Sequence, residues 1–266
     1  MNNILLKIAY DGSGFHGWQK QPGVRTAQGE LEEKLGAVLR APFSLEASSR
    51  TDAGVHALGQ RATLRGDFGI PTDRISFAVN NLLTDAKVLC AEEKPEGFHA
   101  RFDAVGKTYI YRFAVMPANE VFLRNYVCLL ADGPNIDNMS EAAKYMEGTH
   151  DFVCFQAAGG AERESTERTL FSVSACRAKG TDPTGCIYDA VEIEVTGDGF
   201  LYNMVRIIAG TLLEAGRGKI APGEVKSIIA AKDRSKAGPT APPGGLYLKD
   251  VYYDIDTLTS RTKERQ

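Results

Sequence analysis

The feature that most restricts the fold of this chain is the order of its apolar periodicities, because a succession of strand, helix, strand, strand, helix and strand occurs twice. Leu5, Ile8 and Tyr10 mark a short strand, and Ala27, Leu31, Leu35, Val38 and Leu39 then recur at helical spacing. Extended segments follow at Phe43–Ala47 and Leu58–Leu64, then a helix near Asp73–Leu83 and a strand near Lys87–Lys94. The second pass predicts a strand at Lys107–Val115, a helix at Asp137–Met146, strands at Phe171–Ala178 and Cys186–Val195, a helix at Leu201–Leu213 and a strand at Tyr247–Tyr253. A short extra helix begins at Pro222, where proline suits a first helical position. A βαββαβ unit of this kind closes as a mainly antiparallel sheet with helices on one face, the split βαβ arrangement of ferredoxin-like and RRM-like domains. The expectation is therefore an α+β protein of two such halves. With 266 residues the chain exceeds the usual single-domain size of roughly 100–150. The predicted divisions are 1–103, 104–256 and a polar tail, 257–266. Gly238–Gly245, reading GPTAPPGG, is a loop by composition.

Hydrophobic residues at 43% and charged residues at 24% describe an ordinary soluble globular chain. A net charge of −3 excludes a generally basic nucleic-acid coat, and residues 1–104 carry 12 basic and 13 acidic groups, so neither half is the basic one. Any nucleic acid must then meet a local basic groove built by folding. Cys90, Cys128, Cys154, Cys176 and Cys186 are scattered and odd in number, a usage that suits a reducing compartment. No basic segment leads into an apolar stretch and cleavage site at the start, and no apolar run reaches about 18 residues, so the expectation is a cytoplasmic protein with no signal peptide and no membrane association.

Chemistry concentrates in Ser48–Ala57, SSRTDAGVHA, where a single carboxylate, Asp52, stands beside Arg50 in a turn of small residues. Ala53 and Gly54 leave room for a ligand, and Gly54 can adopt positive φ. The competing reading is an Asx-turn, in which Asp52 caps its own backbone two residues on. Gly12, Gly14 and Gly17 spell a GxGxxG directly after the first strand, but a dinucleotide fingerprint must open a helix, and Pro22 with Gly23 in WQKQPG breaks one. These glycines instead shape a loop carrying Phe15, Trp18 and Gln19. His16, His56, His99 and His150 lack metal-ligand spacing, His56 reads as a structural histidine, and no metal is expected. In KTYIYRF, alternation puts Lys107, Tyr109 and Tyr111 on one face, which suits either base stacking or an ordinary tyrosine-rich sheet. Arg206 lies at the edge of an apolar helical stripe; it is either a surface arginine or a cation awaiting an anion such as Asp52.

Several separated motifs together resemble the tRNA pseudouridine synthase A (TruA) family. They are YDGSGFHGWQKQ at Tyr10–Gln21, RTDAGVHALGQ at Arg50–Gln60, FHARFDA at Phe98–Ala104, KTYIYRF at Lys107–Phe113, GFLYNMVRIIAG at Gly199–Gly210, and AAKDRSKAGPTAPPGGLYL at Ala230–Leu248. Ser49 departs from the glycine many members carry before the RTD triplet, a small-for-small change. The resemblance implies two α+β domains around a central cleft, Asp52 as catalytic aspartate, Tyr109 against the uracil, Arg206 as the basic partner of the aspartate, Arg50 helping to displace the flipped base, and Leu246 lining the pocket. It further implies a uridine of the tRNA anticodon stem-loop (positions 38, 39 and 40) as substrate, no cofactor, and a homodimer. Such an isomerisation breaks N1–C1′, turns the uracil and joins C5 to C1′, so it needs no activated water and one carboxylate suffices, unlike glycoside hydrolysis. Asp52 acts as nucleophile, oxocarbenium stabiliser or base; the sequence leaves all three open. Two other readings also stand at this point: a non-catalytic RNA-binding module, and a phosphotransferase forming an aspartyl intermediate.

Overall fold

The computed structural model describes residues 1–115, 120–160 and 164–263. It forms two compact units: Met1–Val105 with Tyr247–Ile255, and Gly106–Leu246 with the residues from Asp256 onward. The class is α+β with mainly antiparallel strands, as the alternating periodicities imply.

In the first unit the order is β1 (Asn2–Tyr10), α1 (Ala27–Leu39), β2 (Phe43–Ala47), β3 (His56–Gly66), α2 (Thr72–Asn80) and β4 (Ala86–Glu93). β1 pairs antiparallel with both β3 and β4, from Asn2↔Gly66 on one side and Ile4↔Glu93 on the other. α1 forms where the sequence places it: Thr26 caps it by accepting the Gly29 N–H (3.2 Å), and Ala27, Leu31, Leu35 and Leu39 make one buried stripe. β2 covers only the far part of the second edge of β3, Ala62 to Gly66. The near part is taken by β10 (Leu246–Tyr252), which pairs in parallel as Tyr247↔His56 and Leu248↔Ala57. The last strand, assigned by the repeat to residues 104–256, thus sits in the first unit; β3 otherwise carries unpaired backbone groups there, and local periodicity does not encode which edge a strand fills.

The second unit runs β5 (Gly106–Val115), α3 (Glu120–Leu123), β6 (Cys128–Leu130), α4 (Ile136–Lys144), β7 (Gly148–Asp151), β8 (Glu167–Thr181), β9 (Ile187–Gly197), α5 (Met204–Gly216) and α6 (Glu224–Ala231). Its strands are ordered β5-β9-β8-β7, with β6 parallel to β5. α5 is the central helix, buried at eleven of its thirteen residues, so its neighbours surround it rather than flank it. The expected polar tail is helical instead, α7 (Ile255–Lys263), because buried Leu258 docks on Gly106, where a Cβ would meet its methyls at 3.0 Å. Residues 264–266 of that tail lie outside the described residues. Among the described residues no helix is long and apolar enough to cross a membrane.

Candidate active site

Asp52 sits between β2 and β3 in a turn closed by the Val55 N–H on the Asp52 carbonyl (3.1 Å), with Gly54 at φ 78°. The Gly54 N–H also reaches across to the Phe15 carbonyl (3.2 Å). That bond belongs to a larger clamp. After β1 the chain makes one 3-10 turn, Gly12–Gly14, and Phe15 is already extended, so the GxGxxG opens no helix. The loop then crosses the Asp52 turn: the Trp18 N–H donates to the Thr51 carbonyl (3.0 Å), and the Tyr10 and Thr51 hydroxyls share a buried hydrogen bond of 2.7 Å. Two glycines permit this approach. A Cβ at Gly12 would lie 2.0 Å from the Val55 carbonyl oxygen, and one at Gly17, φ 84°, would lie 2.6 Å from that of Thr51. Fully buried Trp18 and Phe15 pack on the Tyr10 ring at 5.8 and 6.2 Å, fixing the clamp from beneath. Asp52 itself is half-buried and Arg50 exposed.

His56 is structural. Buried at the start of β3, it accepts the Gly12 N–H at Nδ1 (3.0 Å) and stacks on Tyr247 at 4.7 Å. The same Nδ1 lies 3.3 Å from the Asp11 carboxylate, whose oxygen also accepts the Ser13 N–H (2.9 Å).

The remaining candidates belong to the second unit. Tyr109 lies on β5 opposite Val195, buried, with its ring edge-on to Phe200 at 5.0 Å. Tyr111, which alternation placed beside it, is fully buried; its hydroxyl donates to the Pro242 carbonyl (2.8 Å), and burial pushes its ionisation far above the ordinary phenol range. It is a core residue. Arg206, in the first turn of α5, is half-buried and anchored: Nε donates to the Ala241 carbonyl and Nη1 to Asn203 Oδ1, each at 2.7 Å. Leu246 is buried and follows the 3-10 turn Pro243–Gly245, where Gly245 passes close to the Tyr111 ring and the Arg112 carbonyl.

Sequence reasoning missed what holds these groups. The segment Gly238–Gly245 is a strap seated on α5: a Cβ at Gly210 would fall 1.8 Å from the Pro239 carbonyl oxygen, and the Gly238 N–H donates to Thr211 Oγ1 (2.9 Å). Arg234 ties the strap down through the Gly238 carbonyl (2.9 Å) and Thr240 Oγ1 (3.1 Å). The available signal was a glycine and a threonine within the apolar middle of the helix, Gly210 and Thr211.

Among known proteins, the family described as tRNA pseudouridine synthase matches residues 7–103 and 142–254. A tRNA pseudouridine synthase A of Bacillus subtilis is 46% identical over 254 residues, covering 94% of this chain and 99% of its own length. Those of Bacillus pumilus (45%; 94% and 99%) and Ruminiclostridium cellulolyticum (44%; 95% and 100%) each align over 254 residues. Both the clamped RTD turn of the first unit and the strapped α5 of the second fall inside the matched segments, and on that match the chain belongs to the tRNA pseudouridine synthase family.

Proposed function

We propose that this chain isomerises uridine to pseudouridine in the anticodon stem-loop of tRNAs, at positions 38, 39 and 40, as a cytoplasmic homodimer that uses no cofactor. Asp52 is the catalytic carboxylate; Tyr109, Arg50, Arg206 and Leu246 bind the substrate. The observation that carries this reading is the clamp on the Asp52 turn, set in a family whose relatives match over nearly their full length. Tyr10, Phe15 and Trp18 are committed to holding a turn that presents one half-buried carboxylate, an arrangement suited to chemistry at a single sugar carbon.

The reaction breaks N1–C1′, keeps uracil bound while it turns, forms C5–C1′ and releases the C5 proton. A stem uridine must leave the helix stack first, at a cost of roughly a few kcal/mol, which contacts from Arg50 and the RNA backbone offset. The test is tritium release from tRNA transcripts labelled at uridine C5, comparing the native protein with Asp52→Asn. Loss of release in a folded variant that still binds tRNA is the expected result. No release by the native protein would refute the assignment and leave an RNA-binding module.

A further inference from the structure

Arg206 occupies a position that does nothing for its helix. A cation in the first turn opposes the helix dipole, and α5 has no acidic residue there to offset it. Its guanidinium is nevertheless anchored within its own unit, Nε on the Ala241 carbonyl and Nη1 on Asn203 Oδ1. The strap is bound reciprocally, since the Ala241 N–H donates back to the Arg206 carbonyl (3.1 Å).

Asn203 is the unusual member. It stands at the N-cap of α5 in the left-handed conformation, φ 60° and ψ 9°, which few side chains other than asparagine and aspartate tolerate. An asparagine at an N-cap ordinarily accepts a backbone N–H of the first turn, yet this one makes no capping bond. Its carbonyl oxygen is spent on Arg206 instead. Backbone and side chain are therefore both committed to one result: the plane of the Arg206 fork is set before any substrate arrives.

We infer that Asn203 is a positioning residue for the reaction, acting through Arg206; this rests on the reading of Arg206 as substrate-binding. A planar fork that is already oriented loses less freedom on meeting an anionic or carbonyl group of the RNA, and the gain appears in turnover as well as in binding. Glycine and aspartate separate this role from a purely structural one. Asn203→Gly adopts the left-handed backbone without strain and removes the side-chain amide with its acceptor oxygen, whereas Asn203→Asp keeps both the backbone tolerance and an acceptor oxygen.

The experiment measures kcat and KM on C5-tritiated tRNA, with thermal midpoints, for N203G, N203D, R206K and the double variant N203G/R206K. N203G should keep its midpoint within a few degrees and lose about tenfold in kcat/KM, as expected for one charge-assisted hydrogen bond. N203D should recover most of that loss. In the R206K background, N203G should cost less than about threefold, because the partner it orients is already altered. An N203G enzyme at wild-type kcat/KM, or one whose loss is the same in both backgrounds, would overturn the proposal while leaving Arg206's own role intact. Wild-type kinetics in R206K and in Arg206→Ala would instead remove the reading on which it rests.

Discussion

Replacing Gly17 with alanine is the most direct test of the claim that a loop from outside the RTD motif holds Asp52 in place. Gly17 has φ 84°, where an L-residue costs about 1–2 kcal/mol. The new methyl would stand 2.6 Å from the Thr51 carbonyl oxygen and 3.2 Å from the Asp52 carbonyl carbon. Restoring ordinary contact distances of about 3.5 Å requires the Thr51–Ala53 backbone and the loop to separate by roughly 0.9 Å. The same Thr51 oxygen accepts the Trp18 N–H at 3.0 Å, so that bond is strained or lost, for about 1 kcal/mol more. The sum, about 2–3 kcal/mol, corresponds to roughly 5–10 °C in thermal midpoint for a chain of this size. Displacing a catalytic group by close to 1 Å lowers its rate by about a hundredfold. Gly23→Ala is the matched control: its φ is 76°, but nothing lies within 4 Å of the added carbon. That variant should show the backbone strain alone and retain turnover within about twofold. Single-turnover tritium release and thermal unfolding, measured on both proteins, decide the matter. Wild-type turnover in G17A, or an equal loss in G23A, would show that the clamp does not position the aspartate.

Lys232 holds Asp151 below the ordinary carboxylate value through a 2.7 Å ion pair, helped by the Thr166 hydroxyl. A lowered carboxylate contributes stability above its unfolded value of about 3.9 and loses it as pH falls through the lower folded value. Lys232→Met should therefore melt below wild type at pH 7, modestly because Lys232 is more than half exposed, and the gap should close below about pH 4 and shrink in high salt; a gap constant across pH would contradict this. Burial pushes the Cys154 thiol up to about 11, whereas Cys176 and Cys186 are exposed. In native protein at pH 8 a thiol reagent followed by peptide mass mapping should label the latter two readily and Cys154 only on unfolding; comparable native labelling of Cys154 would mean the core around it opens.

Elements with a clean period are those that the sequence made legible. α1 is one-sided, so its Ala27–Leu31–Leu35–Leu39 spacing maps directly onto burial. α5 is buried almost all round, which blurs its ends: the pattern suggests Leu201–Leu213, but the left-handed Asn203 delays the start to Met204 and the helix runs to Gly216. α3, β6 and β7 have only three or four residues, too few to show any period. α7 hides behind a polar sequence whose one decisive residue is Leu258, and the pairing of β10 with β3 is a long-range choice of edge. The chemical groups were likewise visible as residues, while most of their supports were not, because those are contacts between segments far apart in the chain.

The GxGxxG shows why a motif is decided by its surroundings. In a dinucleotide site glycines admit a phosphate to the chain and a helix starts at once. Here the next helix begins only at Ala27, after Pro22 and Gly23. Gly12 and Gly17 serve the same steric purpose toward a different guest, admitting the carbonyls of Val55 and Thr51 from the protein's own RTD turn. Glycine spacing reports that something approaches the backbone closely. Whether that something is a ligand or another loop follows from where the chain goes next, and in this protein it goes over the Asp52 turn, which makes the loop's glycines part of what holds Asp52 in place.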